Sequence, residues 1–167
     1  VKEYISYAEL QDRVARCADV LLQNGITYGD RVIVYMPMIP QALVAMLACA
    51  RIGAVHSVVF GGFAAAELAK RIDDATPKMI ITASCGLEPG RVVEYKPLID
   101  DAIELSAHKI DNVLLYQREM CKAAIIDSRD IDWDEALAAA SHAACVPVKS
   151  EDPAYILYTS GTTGTPK

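Results

Sequence analysis

The sequence lacks a long uninterrupted apolar run, an excess of positive charge and any closely spaced pair of cysteines. No segment approaches the roughly 20 consecutive apolar residues that span a membrane, although 53% of the 167 residues are hydrophobic. The formal net charge of −6 argues against nucleic acid as a partner. The five cysteines form no C-x-x-C pair, which argues against a zinc site. We therefore expect no membrane span, no nucleic-acid partner and no metal held by this chain.

The chain also lacks an initiating methionine and a secretory signal. It begins at Val1 and has the length of one domain, so we expect a fragment of a longer protein. The odd number of cysteines and the missing signal predict reduced thiols in an intracellular protein. We expect the cytoplasm, or the mitochondrial matrix if the source is eukaryotic.

Short apolar runs alternate with segments of helical periodicity along the chain. Strands are predicted at residues 31–36, 54–60, 79–83, 113–116 and 154–159. Helices are predicted after a capping box at Ser6 and Glu9, from Pro40 to Ala50, and at residues 64–74, 98–105 and 133–141. This alternation predicts an α/β fold with a mainly parallel sheet and flanking helices. Residues 117–129 show no period and are predicted to be the least ordered.

The last ten residues, YTSGTTGTPK at 158–167, combine hydroxyl side chains, two glycines and one lysine. They continue directly from the apolar run AYILY at 154–158, which we interpret as a buried strand that leads into a loop. Glycines let successive backbone N–H groups point at one anion, and serine and threonine hydroxyls donate hydrogen bonds without adding charge. Lys167 supplies the one full positive charge. This composition favours a loop that binds phosphate oxygens.

The spacing of this loop argues against two other kinds of site. A Walker A motif that starts at Gly161 requires its second glycine where the chain has Pro166. A nucleophile elbow around Ser160 requires glycine at positions 158 and 162, which are Tyr158 and Thr162. Ser160 is therefore not predicted to be a nucleophile. On composition alone a flexible linker is the alternative, but a strand leading directly into the loop argues against it.

The sequence YTSGTTGTPK resembles the phosphate-binding signature of the adenylate-forming superfamily, which includes acyl-CoA synthetases and the adenylation domains of peptide synthetases. The resemblance implies that the loop holds the β- and γ-phosphates of ATP, which binds with Mg²⁺. The residues that it implies are Thr159, Ser160, Gly161, Thr162, Thr163, Gly164 and Lys167, and Lys167 is also the implied catalytic residue.

Two further segments resemble the acetyl-CoA and propionyl-CoA synthetase branch, namely ACARIGAVHSVVFGGF at 48–63 and EPGR at 88–91. The resemblance implies that Gly62 approaches the pantetheine arm of CoA and that Arg91, in a loop, contacts its nucleotide end. Acetyl-CoA synthetases tend to have a second arginine where this chain has Glu88, which favours the propionyl branch. The Glu88 carboxylate would repel a phosphate, and Lys78 and Lys96 are the candidates to compensate.

Several of these residues also have simpler interpretations. Gly61 and Gly62 also fit a tight turn before a helix, and Arg91 alone fits a surface salt bridge. The alternate aspartates at 130, 132 and 134 lack the glycine and glutamate of a calcium loop and fit acidic residues opening a helix. His56 fits a core or pocket-wall residue better than a base.

The resemblance implies that residues 1–167 are part of the large N-terminal AMP-binding domain of a short-chain acyl-CoA synthetase, with the C-terminal domain absent from the chain. The implied activity is ligation of a short carboxylate, propionate first, to CoA through an acyl-adenylate. Alternatives are an acetate–CoA ligase, an adenylation module of another class, and a truncated remnant without activity. The sequence does not specify the acid, the oligomeric state or the regulation.

Overall fold

The computed structural model describes residues 4–159. Its helices are α1 Tyr7–Gln23, α2 Pro40–Arg51, α3 Ala65–Ala75, α4 Tyr95–Leu105 and α5 Trp133–Ala139. Its strands are β1 Arg31–Met36, β2 Val55–Phe60, β3 Met79–Ala83, β4 Cys85–Glu88, β5 Arg91–Glu94, β6 Asn112–Tyr116, β7 Asp130–Asp132 and β8 Tyr155–Ile156. The order of the elements confirms the α/β class that the alternation of strands and helices predicts.

Six strands form a parallel sheet in the order β7-β6-β3-β1-β2-β8, and β4 and β5 form a separate antiparallel hairpin. The first strand, β1, lies in the middle of the sheet. The second strand, β2, pairs with one side of β1, and β3 pairs with the other side. This reversal places a switch point between β1 and β3, where the loops at the carboxyl ends of the strands diverge. Ligands of open parallel sheets bind at such points.

Two apolar cores lie on opposite faces of the sheet. Side chains of β1 alternate between them, with Val32 and Val34 packed beneath α1 and α2, and Ile33 and Tyr35 beneath α3 and α4. Burial on both faces explains why the strands are continuous apolar runs in the sequence. None of the helices within residues 4–159 combines the length and apolarity needed to cross a membrane.

The first two helices begin where the sequence predicts. The Ser6 hydroxyl accepts a hydrogen bond from the Glu9 amide at 3.2 Å, and the Glu9 carboxylate accepts one from the Ser6 amide at 2.7 Å. This confirms the capping box. Pro40 occupies the first turn of α2, where its missing N–H costs no hydrogen bond.

The hairpin of β4 and β5 corrects the prediction that Arg91 lies in a loop. Glu88 ends β4 and Arg91 begins β5, so that only Pro89 and Gly90 form the turn. Gly90 has a φ of +81°, a conformation that glycine adopts at little cost. The two strands have only four residues each, too few for a convincing period in the sequence.

Residues 117–129, which the sequence predicts to be the least ordered, contain no helix or strand but do have defined contacts. The Gln117 side chain exchanges hydrogen bonds of 2.9 Å with the backbone of Ala123. The segment leads into β7, a strand that the sequence analysis did not predict. Asp130 lies in this strand and not at the start of a helix, whereas Asp132 does cap α5 by accepting hydrogen bonds from the amides of Asp134 and Glu135.

The predicted strand at 154–159 is shorter and more exposed than expected. Only Tyr155 and Ile156 pair with β2, and Tyr155 and Leu157 are 60% and 67% exposed. Strand β8 lies at the edge of the sheet, and among the described residues no strand pairs with its outer side. On the neighbouring strand, Val58 and Phe60 are also exposed. These side chains form one uncovered apolar face, which we call the β2–β8 face.

Candidate functional site

The carboxyl edge of the sheet gathers four connections. Met36 leads from β1 into the turn before α2, Phe60 leads from β2 into Gly61 and Gly62, Ser84 joins β3 to the hairpin, and Tyr116 leads from β6 into the segment at 117–129. Because the strands are parallel, these connections all leave the sheet on the same side. The sequence separates them by up to 80 residues, and the topology brings them together.

Tyr35 holds the glycine turn that follows β2. Its hydroxyl accepts a hydrogen bond from the Gly62 amide at 3.1 Å and donates one to the Phe63 carbonyl oxygen at 2.9 Å. Burial raises the pKa of this hydroxyl, so it stays protonated and can donate at neutral pH. Gly62 has a φ of +118°, which other residues rarely adopt. The turn is therefore fixed from below by a buried side chain.

Tyr95 joins this turn to the hairpin. A Cβ atom on Gly61 would lie 2.5 Å from the Tyr95 ring, and a Cβ atom on Gly86 would lie 2.1 Å from its hydroxyl oxygen. The ring also packs against Tyr35, with the two centroids 5.1 Å apart. Both glycines are required because the tyrosine ring fills the space that a side chain would occupy. The glycine turn and the hairpin are thus packed into one unit.

Glu88 brings the two predicted CoA-binding residues to the same place. Its Oε2 atom accepts hydrogen bonds from Nε and Nη2 of Arg91 at 3.0 and 2.8 Å. Its Oε1 atom lies 3.0 Å from the position of a Cβ atom on Gly62. The carboxylate therefore lies between Gly62 and Arg91. The Arg91 side chain is 70% exposed, so the outer part of its guanidinium group is open to a ligand.

The last described strand, β8, runs toward the same edge of the sheet. Strand β8 runs parallel to β2, and Tyr158 then packs on α3, where its hydroxyl donates to Asp74 at 2.6 Å. The Arg71 guanidinium lies 5.4 Å from the Tyr158 ring centroid and 4.8 Å from that of Phe63. Arg71 thus links the glycine turn to the residues that precede the loop.

Most of the predicted phosphate-binding residues lie outside the described part of the chain. Thr159 is its last residue. The others are Ser160, Gly161, Thr162, Thr163, Gly164 and Lys167. Their roles stay predictions.

The other titratable groups fit structural roles. His56 is buried beside Tyr155, its Nδ1 atom has no hydrogen-bond partner among residues 4–159, and burial lowers its pKa. These properties suit the predicted core residue better than a base. Within the described residues, no three His, Cys, Asp or Glu side chains are arranged to hold a metal ion.

Tyr35, Tyr95 and Arg118 are site residues that the sequence analysis missed. Tyr35 sits in an apolar strand, and a buried tyrosine hydroxyl requires a hydrogen-bond partner, so its position could have suggested a polar contact below the sheet edge. Tyr95 and Arg118 carry no comparable local signal, because their partners lie in other elements.

We expect Tyr35→Phe to loosen the glycine turn. The substitution keeps the ring and removes both hydroxyl hydrogen bonds, at a cost of about 1 kcal/mol in the free energy of local opening. Amide hydrogen exchange across residues 60–64 measures this change. Tyr7→Phe is the matched control, because Tyr7 is 92% exposed and should leave the exchange unchanged. Equal exchange in Tyr35→Phe and the wild type would contradict the role of the hydroxyl.

The described residues form an α/β domain whose candidate site lies at the carboxyl edge of the sheet. The sequence matches the AMP-binding enzyme family over residues 1–167. The chain belongs to this family.

The similar proteins include synthetases and ligases that are named for short-chain acyl-CoA products or short-chain acids. Acyl-CoA synthetase short-chain family member 3, mitochondrial, of Rattus norvegicus is 56% identical over 99% of this chain. The propionate–CoA ligase of Salmonella typhimurium and the acetyl-coenzyme A synthetase of Pasteurella multocida are each 49% identical over 97% of it. Among solved structures, the acetoacetyl-CoA synthetase from Streptomyces lividans covers 98% of the chain with a TM-score of 0.88 and 29% identity.

The chain spans about a quarter of the length of these proteins. It covers 24% of the rat protein, 26% of the propionate–CoA ligase, 25% of the acetyl-coenzyme A synthetase and 25% of the solved structure.

Proposed function

We propose that this chain forms part of a short-chain acyl-CoA synthetase that joins propionate to CoA. The observation that carries the proposal is the meeting of Gly62 and Arg91 at the Glu88 carboxylate. This meeting occurs at the sheet edge toward which β8, the strand before the predicted phosphate loop, runs. A CoA site and an ATP site on one edge are what a two-step ligation requires, since both steps act on the same acyl group.

The proposed reaction has two balanced steps. A carboxylate oxygen of the acid attacks the α-phosphorus of ATP, which forms the acyl-adenylate and releases pyrophosphate. The thiol sulfur of CoA then attacks the acyl carbon, AMP leaves, and the thiol proton passes to solvent. In the first step Lys167 and the N–H and hydroxyl donors of residues 159–164 would neutralise the polyphosphate together with Mg²⁺. Arg91 and Gly62 would act only in the second step, because they bind CoA.

The chain would supply the first part of the large AMP-binding domain. The β2–β8 face supports this assignment, since an exposed apolar face usually marks a surface that is covered by other protein. In this proposal the remaining part of the domain covers that face and provides the acyl and adenine pockets. A separate C-terminal domain would complete the enzyme, which would act in the cytoplasm or the mitochondrial matrix.

Propionate is proposed as the acid because the segment EPGR at 88–91 resembles the propionyl-CoA synthetase branch more than the acetyl-CoA synthetase branch. Overall identity does not separate the acids, because it is 49% to both the propionate and the acetate enzyme. Comparison of kcat/KM for propionate and acetate tests this choice directly, and a preference for acetate would overturn it. A remnant without activity would form neither thioester.

Arg91→Ala in the complete enzyme tests the CoA assignment. Loss of a charge-assisted hydrogen bond to a phosphate should raise the KM for CoA roughly 10- to 100-fold. Propionate-dependent ATP–pyrophosphate exchange should stay near the wild-type rate, since CoA takes no part in that step. An adenylation module of another class would show no dependence on CoA at all.

Lys70→Ala is the matched control for Arg91→Ala. Lys70 is an exposed cation whose ion pair with Glu67 has the same i,i+3 spacing as the pair of Arg91 with Glu88. It should change neither half-reaction. Equal losses of exchange and thioester formation in Arg91→Ala would show that Arg91 acts through stability, as a surface salt bridge, and would count against a CoA ligase.

A further inference from the structure

A cavity of about 260 Å³ opens at the carboxyl edge of the sheet, beside the switch point. Its walls come from the turn after β1, the glycine turn after β2, the hairpin and the start of α4. Apolar side chains on its walls include Met38, Phe60 and Leu87. Two lining residues are charged, Glu88 and Arg118. A cavity that combines apolar side chains with a few charged groups is typical of a site for an amphipathic ligand.

Arg118 is held at the start of the hairpin by two hydrogen bonds, one from its amide and one from its guanidinium group. Its amide donates to the Ser84 hydroxyl at 2.9 Å, and its Nη1 atom donates to the Cys85 carbonyl oxygen at 3.1 Å. Ser84 connects β3 to β4, and Cys85 is the first residue of β4. The side chain is thus fixed to the base of the hairpin, whose outer end carries Arg91. A cation positioned in this way loses little conformational entropy when it binds an anion.

The charge of Arg118 has no carboxylate partner among residues 4–159, since no ion pair within 4.0 Å involves it. Arg91 differs, because Glu88 already neutralises it. The two lysines suggested by the sequence are also committed elsewhere. Lys78 pairs with Asp30 at 2.8 Å, beside the start of β1 and so at the opposite edge, and Lys96 is buried between Asp100 and Asp130.

An anion in the cavity would therefore meet a net attraction from Arg118. The neighbouring pair of Glu88 and Arg91 carries no net charge, so its field falls off quickly with distance. A guanidinium group can also bind two phosphate oxygens at once. Arg118 follows the end of β6 and lies at the base of the hairpin, whereas Arg91 lies at its tip. The two arginines can thus bind different anionic groups of one ligand.

We propose that Arg118 binds the diphosphate of CoA, while Arg91 contacts the nucleotide end beyond it. This inference rests on the proposed function. Acetyl-CoA synthetases tend to have an arginine at the position of Glu88, and in this chain Arg118 supplies the positive charge instead. Lys78 and Lys96 cannot supply it, because both are paired with aspartates elsewhere. The apolar walls of the cavity suit the pantetheine arm, which carries no charge and joins directly to the diphosphate.

Two probes that differ by one phosphate test the proposal in the complete enzyme. Pantetheine and 4′-phosphopantetheine are measured as competitors of CoA, each by its inhibition constant. The wild type should bind phosphopantetheine roughly 10- to 100-fold more tightly than pantetheine, as expected for a charge-assisted contact. Arg118→Gln should abolish most of this preference and leave the constant for pantetheine unchanged. Arg118→Lys, which keeps the charge, should retain part of it.

The matched control is Lys122→Gln, which removes one positive charge from the same segment. Lys122 is 62% exposed and pairs with Glu119, and its loss should leave the preference intact. An unchanged preference in Arg118→Gln would overturn the assignment. So would an equal weakening of both probes, which would indicate that Arg118 only supports the hairpin. A wild-type enzyme that forms no thioester with CoA would instead overturn the proposed function itself.

Discussion

Replacement of Lys167 by alanine should slow propionate-dependent ATP–pyrophosphate exchange by about 100-fold. Lys167 carries the only full positive charge in the predicted phosphate loop, and pyrophosphate gains negative charge as it leaves the α-phosphorus. Loss of one fixed donor at a developing oxyanion costs about 10²- to 10³-fold in rate. The expected loss is at the lower end because Mg²⁺ and the remaining hydroxyl and amide donors also neutralise the polyphosphate.

The second half-reaction provides the internal control for Lys167→Ala. When synthetic propionyl-adenylate is supplied, the variant should form propionyl-CoA at the wild-type rate, because pyrophosphate has already left. Lys167→Arg keeps the charge and should recover part of the exchange. Exchange at the wild-type rate in Lys167→Ala would identify Lys167 as a structural cation. A loss in both half-reactions would point to a folding defect.

The core of the fold could be predicted from the sequence because its signals are local. Strands β1 and β3 are buried on both faces, so each appears as an unbroken apolar run that starts and ends at the predicted residues. Helix α1 carries its own start signal in the side chains of Ser6 and Glu9. Where an element depends on its own residues for its boundaries, the sequence contains enough information.

The elements that were missed depend on distant partners. Strand β7 has three residues, and it exists because Asp130, Ile131 and Asp132 pair with β6. For β8, in contrast, the sequence predicts more burial than the structure shows. Its apolar run is typical of an interior strand, but within residues 4–159 it pairs only with β2. Pairing and coverage are properties of the assembled sheet, and no window of sequence reports them.

The candidate site shows the same division between local and distant information. Gly62 and Arg91 were selected through a resemblance, and the structure places both against Glu88. The buried contacts that hold this arrangement come from Tyr35 and Tyr95, which lie 60 residues apart in the chain and pack with their rings 5.1 Å apart. The sequence thus indicates the candidate ligand-binding residues better than the residues that support them, because only the candidates belong to recognisable motifs.

The segment that carries Arg118 depends on a buried ion-pair network, and Asp130→Ala should disrupt it. The Asp130 carboxylate is fully buried and contacts Lys96 Nζ at 2.9 Å and Arg129 Nε at 2.8 Å. It also accepts a hydrogen bond from the Ile126 amide at 2.9 Å. Its removal would leave Lys96, itself 4% exposed, with one counterion fewer. Removal of one partner of a buried pair costs about 3–5 kcal/mol.

Hydrogen exchange across residues 112–132 of the complete enzyme measures this effect. The expected cost corresponds to exchange roughly 10²- to 10⁴-fold faster, if the segment opens and closes rapidly. Asp100→Ala is the matched control. It removes the same charge from the same network, but the Asp100 side chain is 35% exposed, so water can replace much of its contact. Similar exchange in the two variants would show that burial does not determine the contribution of Asp130.

The pH dependence of the same exchange gives an independent check. Burial opposes ionisation of Asp130, but the hydrogen bonds from Arg129, the Ile126 amide and Lys96 outweigh it and lower the pKa of the carboxyl group. A carboxyl group with a lowered folded-state pKa stabilises the fold above its unfolded pKa, and this contribution is lost as the pH falls through the folded pKa. Opening of the segment in the wild type should therefore become easier below about pH 4. Asp130→Ala lacks this carboxyl group, so its opening should depend less on acid. If both proteins respond equally to acid, the stabilising contacts of Asp130 do not hold this segment.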